Sequence, residues 1–255
     1  MNESLRQART GTLGRADVGV DVGLRGFMLG VYNKMALGLV WSALLAYVVG
    51  SVPAVTQTVL GTPIVYLVQF GPIALLLGSN FLMRNPSPAG SAALYWSVVT
   101  LMGSGLGVWV YVALNNVSAQ SFSGTFNVTF TGIAKAFVVT AGAFGALSLW
   151  GYTTKKNLSA IGSFLIMATW GLAAITLLNL FVLKSGPLEI GMQIASLGIF
   201  GLLVAFQTQN LKDSYHHMQG DQRGLAVMTN LGALNLYIAF VAIFQTLLRL
   251  FSSRN

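Results

Sequence analysis

Six carboxylates are all that this chain of 255 residues contains, and their positions limit its chemistry sharply. Glu3, Asp17 and Asp21 lie in a polar N-terminal stretch, while Glu189, Asp213 and Asp221 fall in segments that read as loops. The long apolar runs between them carry no acid. A carboxylate pair for acid/base work, a cation site or a proton relay at membrane depth needs such groups, because ionisable side chains persist there only where they act. His216 and His217 are adjacent, so their side chains diverge in regular structure, and no third nitrogen or sulfur ligand accompanies them. They read as a solvated pair, not a metal centre. With no cysteine, disulfides, thiolate metal sites and thiol catalysis are excluded together. Ser148 and Ser163 have no histidine or acid within reach, and no GxxxxGK[ST] phosphate loop occurs, so neither an enzyme nor a bound cofactor is expected.

What the apolar runs do contain is uncharged and polar: Gln69, Asn80, Asn179, Gln193, Gln207, Thr208, Gln209, Asn230, Asn235, Tyr237 and Gln245. An amide in lipid must find a partner. Two readings follow, hydrogen bonds that tie helices together or the lining of a polar, uncharged cavity. Asn179, Asn235 and Tyr237 are the candidates for the second. Lys34, Lys135 and Arg249 stand near run ends, where long basic side chains reach the headgroups.

The elements that position these residues follow from composition. Hydrophobic residues make up 55% of the chain and charged ones 8%, where a soluble domain has about a quarter charged. At about 20 apolar residues per crossing, spans are expected at Phe27 to Val49, Ile64 to Met83, Ala89 to Leu114, Gly132 to Tyr152, Ala160 to Leu183, Ile190 to Thr208 and Leu225 to Phe251. The reading is an all-α polytopic membrane helix bundle of seven transmembrane helices (27–255) behind a polar cytoplasmic N-terminal arm (1–26). Strands are not expected, because alternation of period two is absent. Gly103 with Gly107, and Gly142 with Ala146, have the small-xxx-small spacing of close helix packing.

The net charge of +8 has no basic stripe interleaved with aromatics, so nucleic acid is not an expected partner. The lipid bilayer is. With the N-terminus inside, ten basic residues (Arg6, Arg9, Arg15, Arg25, Lys34, Arg84, Lys155, Lys156, Lys212, Arg223) fall on the cytoplasmic side and four (Lys135, Lys184, Arg249, Arg254) on the other. That excess predicts a cytoplasmic N-terminus and a C-terminus on the opposite side.

Four stretches in order, VYNKMALGL (31–39), GAFGALSLWGYTTKKNLSAIGSFL (142–165), FQTQNLK (206–212) and GALNLYIAFVAIFQTLLRLF (232–251), resemble the Bax inhibitor-1/YccA family, also called the transmembrane Bax inhibitor motif family. The resemblance implies six helices around a central seventh and, for a bacterial-type member, the inner membrane. It also implies association with pH-sensitive cation leak, or with a membrane protease complex, and no agreed enzymatic activity. Where the family pattern has Y-D-T-Q and L-Y-L-D-F, this chain reads F-Q-T-Q and L-Y-I-A-F, so the two expected aspartates fall on Gln207 and Ala239. Neither residue titrates, and pH gating by that pair is not expected. Arg84 in FLMRNP matches an arginine that can pair with the first of those aspartates, and Arg249 matches the arginine of a closing LLR motif.

Two functions are therefore expected in order. The first is a non-enzymatic accessory or regulatory subunit of another membrane protein complex, with the N-terminal arm as a candidate contact. The second is a constitutive ion leak or transport path lined by amides. If Gln207, Asn179 and Asn235 share one cavity, the second gains.

Overall fold

A computed structural model describes residues 3–82, 85–121 and 124–254. Arg84 lies outside the described residues. The elements run α1 (Glu3–Ser51), α2 (Pro53–Leu60), α3 (Ile64–Leu82), α4 (Pro88–Asn115), β1 (Ala119–Ser121), β2 (Gly124–Asn127), α5 (Phe130–Thr153), α6 (Ser159–Leu178), a π-helical turn (Asn179–Leu183), α7 (Gly186–His217), α8 (Gln222–Phe251) and β3 (Ser253–Arg254). Helices dominate because a backbone in hydrocarbon must satisfy its own hydrogen bonds within the segment. Polar residues at the breaks set the starts. Ser87 caps α4 by accepting from the Gly90 N–H at 3.0 Å, Thr129 caps α5 through Gly132 at 3.1 Å, and Asp221 caps α8 through Gly224 at 2.9 Å.

Among the described residues, six helical segments are long and apolar enough to cross a membrane. The second expected span is different. Pro53–Leu60 and Ile64–Ser79 together pass the same test but are bent by 64° at the break around Gly61–Pro63, so a seventh crossing exists only if the bent pair counts as one. The N-terminal boundary also differs from the expected arm: the backbone of α1 is helical from Glu3, and its membrane-length segment is Val22–Ser51. The long loop before α5 holds a short ribbon, with β1 antiparallel to β2 and β2 antiparallel to β3, which ties the C-terminal residues to that loop. The spans themselves are helical throughout the described residues, as expected.

The last helix is the central one. Two thirds (67%) of its apolar window is buried, against 39% or less for the other spans. It packs chiefly against α1, α4, α5 and α7, whereas α3 lies mainly against α4 and α6 mainly against α7. The core around it includes Val31, Tyr95, Val98, Val204, Leu236, Tyr237 and Phe240. In contrast, α5 and α6 present Val138, Phe164 and Met167 outward, each about 70% exposed, as lipid-facing residues must be.

The small-residue spacings divide. A Cβ on Gly103 would stand 2.7 Å from the Ser42 backbone and one on Gly107 2.6 Å from the Val49 side chain, so this pair brings α4 against α1. Gly142 has nothing within 4 Å and both it and Ala146 are exposed, so the second pair makes no helix contact.

Candidate functional site

Several of the polar groups in the spans pair across the bundle. Tyr237 is fully buried in α8 and its hydroxyl lies 2.7 Å from Ser42 Oγ of α1. Ser148 of α5 meets Tyr32 of α1 and lies 3.1 Å from Thr208 of α7. Ser196 of α7 lies 3.3 Å from Thr246 of α8. These bonds join α1, α5, α7 and α8 across the bundle, and they absorb two of the sequence candidates, Tyr237 and Ser148, into packing. Tyr237→Phe keeps the ring and removes one hydrogen bond, so it is expected to lower stability by about 1 kcal/mol in thermal unfolding in detergent.

Asn179 is also structural. It is buried and brackets the π-helical turn, its Oδ1 accepting from the Ser185 N–H at 2.9 Å and its Nδ2 donating to the Ser185 carbonyl at 3.3 Å. It takes no part in a cavity with the other amides.

Two basic residues depart from the expected snorkelling. Lys34 Nζ donates to Asn230 Oδ1 and sits 5.5 Å from the centre of the Tyr95 ring. Asn230 in turn donates to Ser91 Oγ at 2.8 Å and to the Pro88 carbonyl at 3.0 Å, so one amide of α8 joins α1 to the start of α4. Arg249 pairs with Glu189 at 3.6 Å and lies 5.6 Å from the Trp109 ring centre. Glu189 is buried in the first turn of α7, not in a loop. A carboxylate there also complements the positive end of the helix dipole. Sequence reading missed both groupings, although Lys34 and Asn230 were each visible as polar residues in an apolar run. His216 and His217 end α7, exposed, and are not in a loop.

The remaining candidates do come together. Gln207 of α7 and Asn235 and Ala239 of α8 line one cleft with Ile166, Thr169 and Trp170 of α6, together with Phe200, Leu203 and Ile238. Its volume is about 180 Å³. Ala239 is buried, yet Asn235, one helical turn earlier on a largely buried helix, is exposed. Among the described residues, Gln207 Oε1 is buried without a hydrogen-bond partner. Nothing that lines the cleft carries a charge. It can therefore offer amide, hydroxyl and indole donors and an unsatisfied acceptor to a neutral or dipolar group, but no ionisable side chain among the described residues.

Residues 24–255 match the family described as inhibitor of apoptosis-promoting Bax1. The chain belongs to the Bax inhibitor-1 family. A Caulobacter vibrioides protein is 46% identical over 253 residues, 96% of this chain and 95% of that protein. The inner membrane protein YbhL of Escherichia coli K12 is 34% identical over 235 residues, 91% of this chain and 93% of YbhL. A Rickettsia prowazekii protein is 32% identical over 236 residues, covering 92% of both chains. The two sequence positions singled out by the Bax inhibitor-1 resemblance, Gln207 and Ala239, thus line the same cleft in this Bax inhibitor-1 member.

Proposed function

We propose that this Bax inhibitor-1 member is a non-enzymatic inner-membrane protein that acts as an accessory or regulatory partner of another integral membrane protein. In this reading the N-terminus is cytoplasmic and the C-terminus lies on the other side. The observation that carries the reading is the exposed Asn235 sharing a cleft between α6, α7 and α8 with Gln207, whose Oε1 has no partner among the described residues. In hydrocarbon an amide without a partner costs free energy, and a helix from another protein with small or hydroxyl-bearing residues would satisfy it. The loss of both family aspartates at Gln207 and Ala239 fits a bundle that no longer senses protons there. The polar arm at residues 1–26 is a second candidate contact.

The test is assembly in native membranes. After solubilisation in mild detergent, the tagged chain is expected to run as a stoichiometric hetero-complex, and Asn235→Leu with Gln207→Leu is expected to release the partner while the bundle stays folded. A monomeric bundle, or a complex indifferent to both changes, would remove this reading.

A constitutive leak has one observation in its favour, that Gln207 and Asn235 share a cavity. Against it stand the position of Asn179 elsewhere and the apolar majority of the lining. In liposomes, Gln207→Asp with Ala239→Asp is then expected to confer a cation flux that differs between mildly acidic and mildly alkaline buffer. An unchanged flux would dispose of the proposal that these two positions correspond to the family's aspartates.

A further inference from the structure

A second, strongly polar cavity lies near the cleft, beyond Gln207 toward the C-terminal end of α7. It lies at the loop between Thr153 and Ser159 and against the last turns of α7, with a volume of about 260 Å³. Lys155, Lys156 and Lys212 line it, with Thr154, Gln209 and a single carboxylate, Asp213. Among the described residues, none of the three ammonium groups has a carboxylate within salt-bridge distance.

The loop is held in shape from α7. Gln209 Oε1 accepts from the Leu158 N–H at 2.8 Å and its Nε2 donates to the Lys156 carbonyl at 2.9 Å, so one side chain fixes both ends of the turn. Lys212 is half-buried, donates to the Tyr152 carbonyl at 3.2 Å and sits 5.1 Å from the Tyr152 ring centre. Its amine is thereby anchored at the floor, while Lys155 and Lys156 are exposed at the rim. Three like charges converge on a pre-shaped polar hollow where two spanning helices end. Such an arrangement is repulsive when empty of anions and favourable when an anion enters.

We propose that this cavity binds a phosphate group. Phosphate oxygens accept from several ammonium donors at once, and the start of α6 adds the positive end of its helix dipole. The site stands at the edge of the apolar spans, and the first turns of α6 present Ile161 and Phe164 outward just beyond Ser159. Acyl chains of an anionic phospholipid would lie along that face with the headgroup at the cavity. A soluble phosphate ester offers the same oxygens without the chains.

The experiment uses the purified full-length chain in a zwitterionic detergent at fixed salt, titrated with short-chain phosphatidylglycerol, short-chain phosphatidylcholine and inorganic phosphate. Saturable binding of phosphatidylglycerol, stronger than that of phosphatidylcholine, is expected. Each lysine is expected to contribute about fivefold, so Lys155→Gln with Lys156→Gln and Lys212→Gln should weaken binding about a hundredfold. Lys135→Gln, on an exposed position of α5, should change nothing, and Asp213→Asn should strengthen binding severalfold. If the triple variant fails to fold, the exposed pair Lys155→Gln with Lys156→Gln carries the test, with an expected loss of about twenty-fivefold. Inorganic phosphate that binds and displaces phosphatidylglycerol supports the site with a soluble source, and phosphate that does neither while phosphatidylglycerol binds supports a lipid source. No binding of either, or affinity unchanged by the lysine substitutions, overturns the proposal.

Discussion

Gly151→Val is expected to destabilise the bundle by about 3 kcal/mol or more. Gly151 lies in the last turn of α5, buried against α7, and a Cβ there would press on the Ala205 carbonyl oxygen and stand 2.7 Å from Ala205 Cα. Non-bonded carbons rest at about 3.5 to 4.0 Å, and the opposing atoms are backbone, which cannot rotate away. The two helices must therefore part by about an ångström. Parting them also stretches the 3.1 Å bond between Ser148 and Thr208, one turn away. The measurement is the thermal midpoint in detergent together with the monodisperse fraction. Gly142→Val and Gly145→Val on the same helix are the controls. Neither glycine has an atom within 4 Å of the added carbon, so both should stay within about 0.5 kcal/mol of the parent. Equal stability of all three variants would mean that α5 and α7 do not approach at Gly151.

Asn230→Leu is expected to cost about 2 to 3 kcal/mol. The amide accepts from Lys34 and donates to Ser91 and to the Pro88 carbonyl, and leucine of similar size replaces none of these bonds. The ammonium group is the costly remnant, because a half-buried charge without an acceptor keeps its desolvation penalty. Removing the charge should recover part of the loss. The double variant with Lys34→Met is thus expected to be less destabilised than the sum of the two single variants, and the cycle of four proteins measured by thermal unfolding gives the coupling. Strict additivity would show that Lys34 reaches the headgroups after all.

Both results concern residues that the sequence displayed without revealing their use. Lys34 near a run end has the same local signature whether its side chain turns to water or to Asn230, since the stem is long enough for either. Glu189 sits two residues after Pro187 and before an apolar run, a position that reads equally as loop or as first helical turn. Gly142 and Gly151 are equivalent in sequence, both glycines of one apolar helix, yet one faces open space and the other a backbone. Rotation about the helix axis makes that difference, and nothing local fixes it.

The cleft shows the same division. The sequence alone placed Gln207, Asn235 and Ala239 in apolar helices and removed every carboxylate from their neighbourhood. It could not place Asn179, whose amide closes its own turn through Ser185 instead of joining the others.

Sequence by itself determined the class of this protein: apolar runs of crossing length, backbones that must be helical in lipid, acids kept away from the middle of the spans, and a family shared over residues 24–255. These follow from composition and from chemistry that acts residue by residue. Tertiary structure decided that α8 is the buried axis, that the second span is bent by 64°, that Lys34 and Arg249 have partners inside the protein, and that three lysines converge at the end of α7. Each of those depends on which helix stands beside which and how it is rotated. In a bundle whose helices are apolar on most sides, that choice is made by a few glycines and amides meeting across the chain, and no single stretch of sequence contains both halves of such a contact.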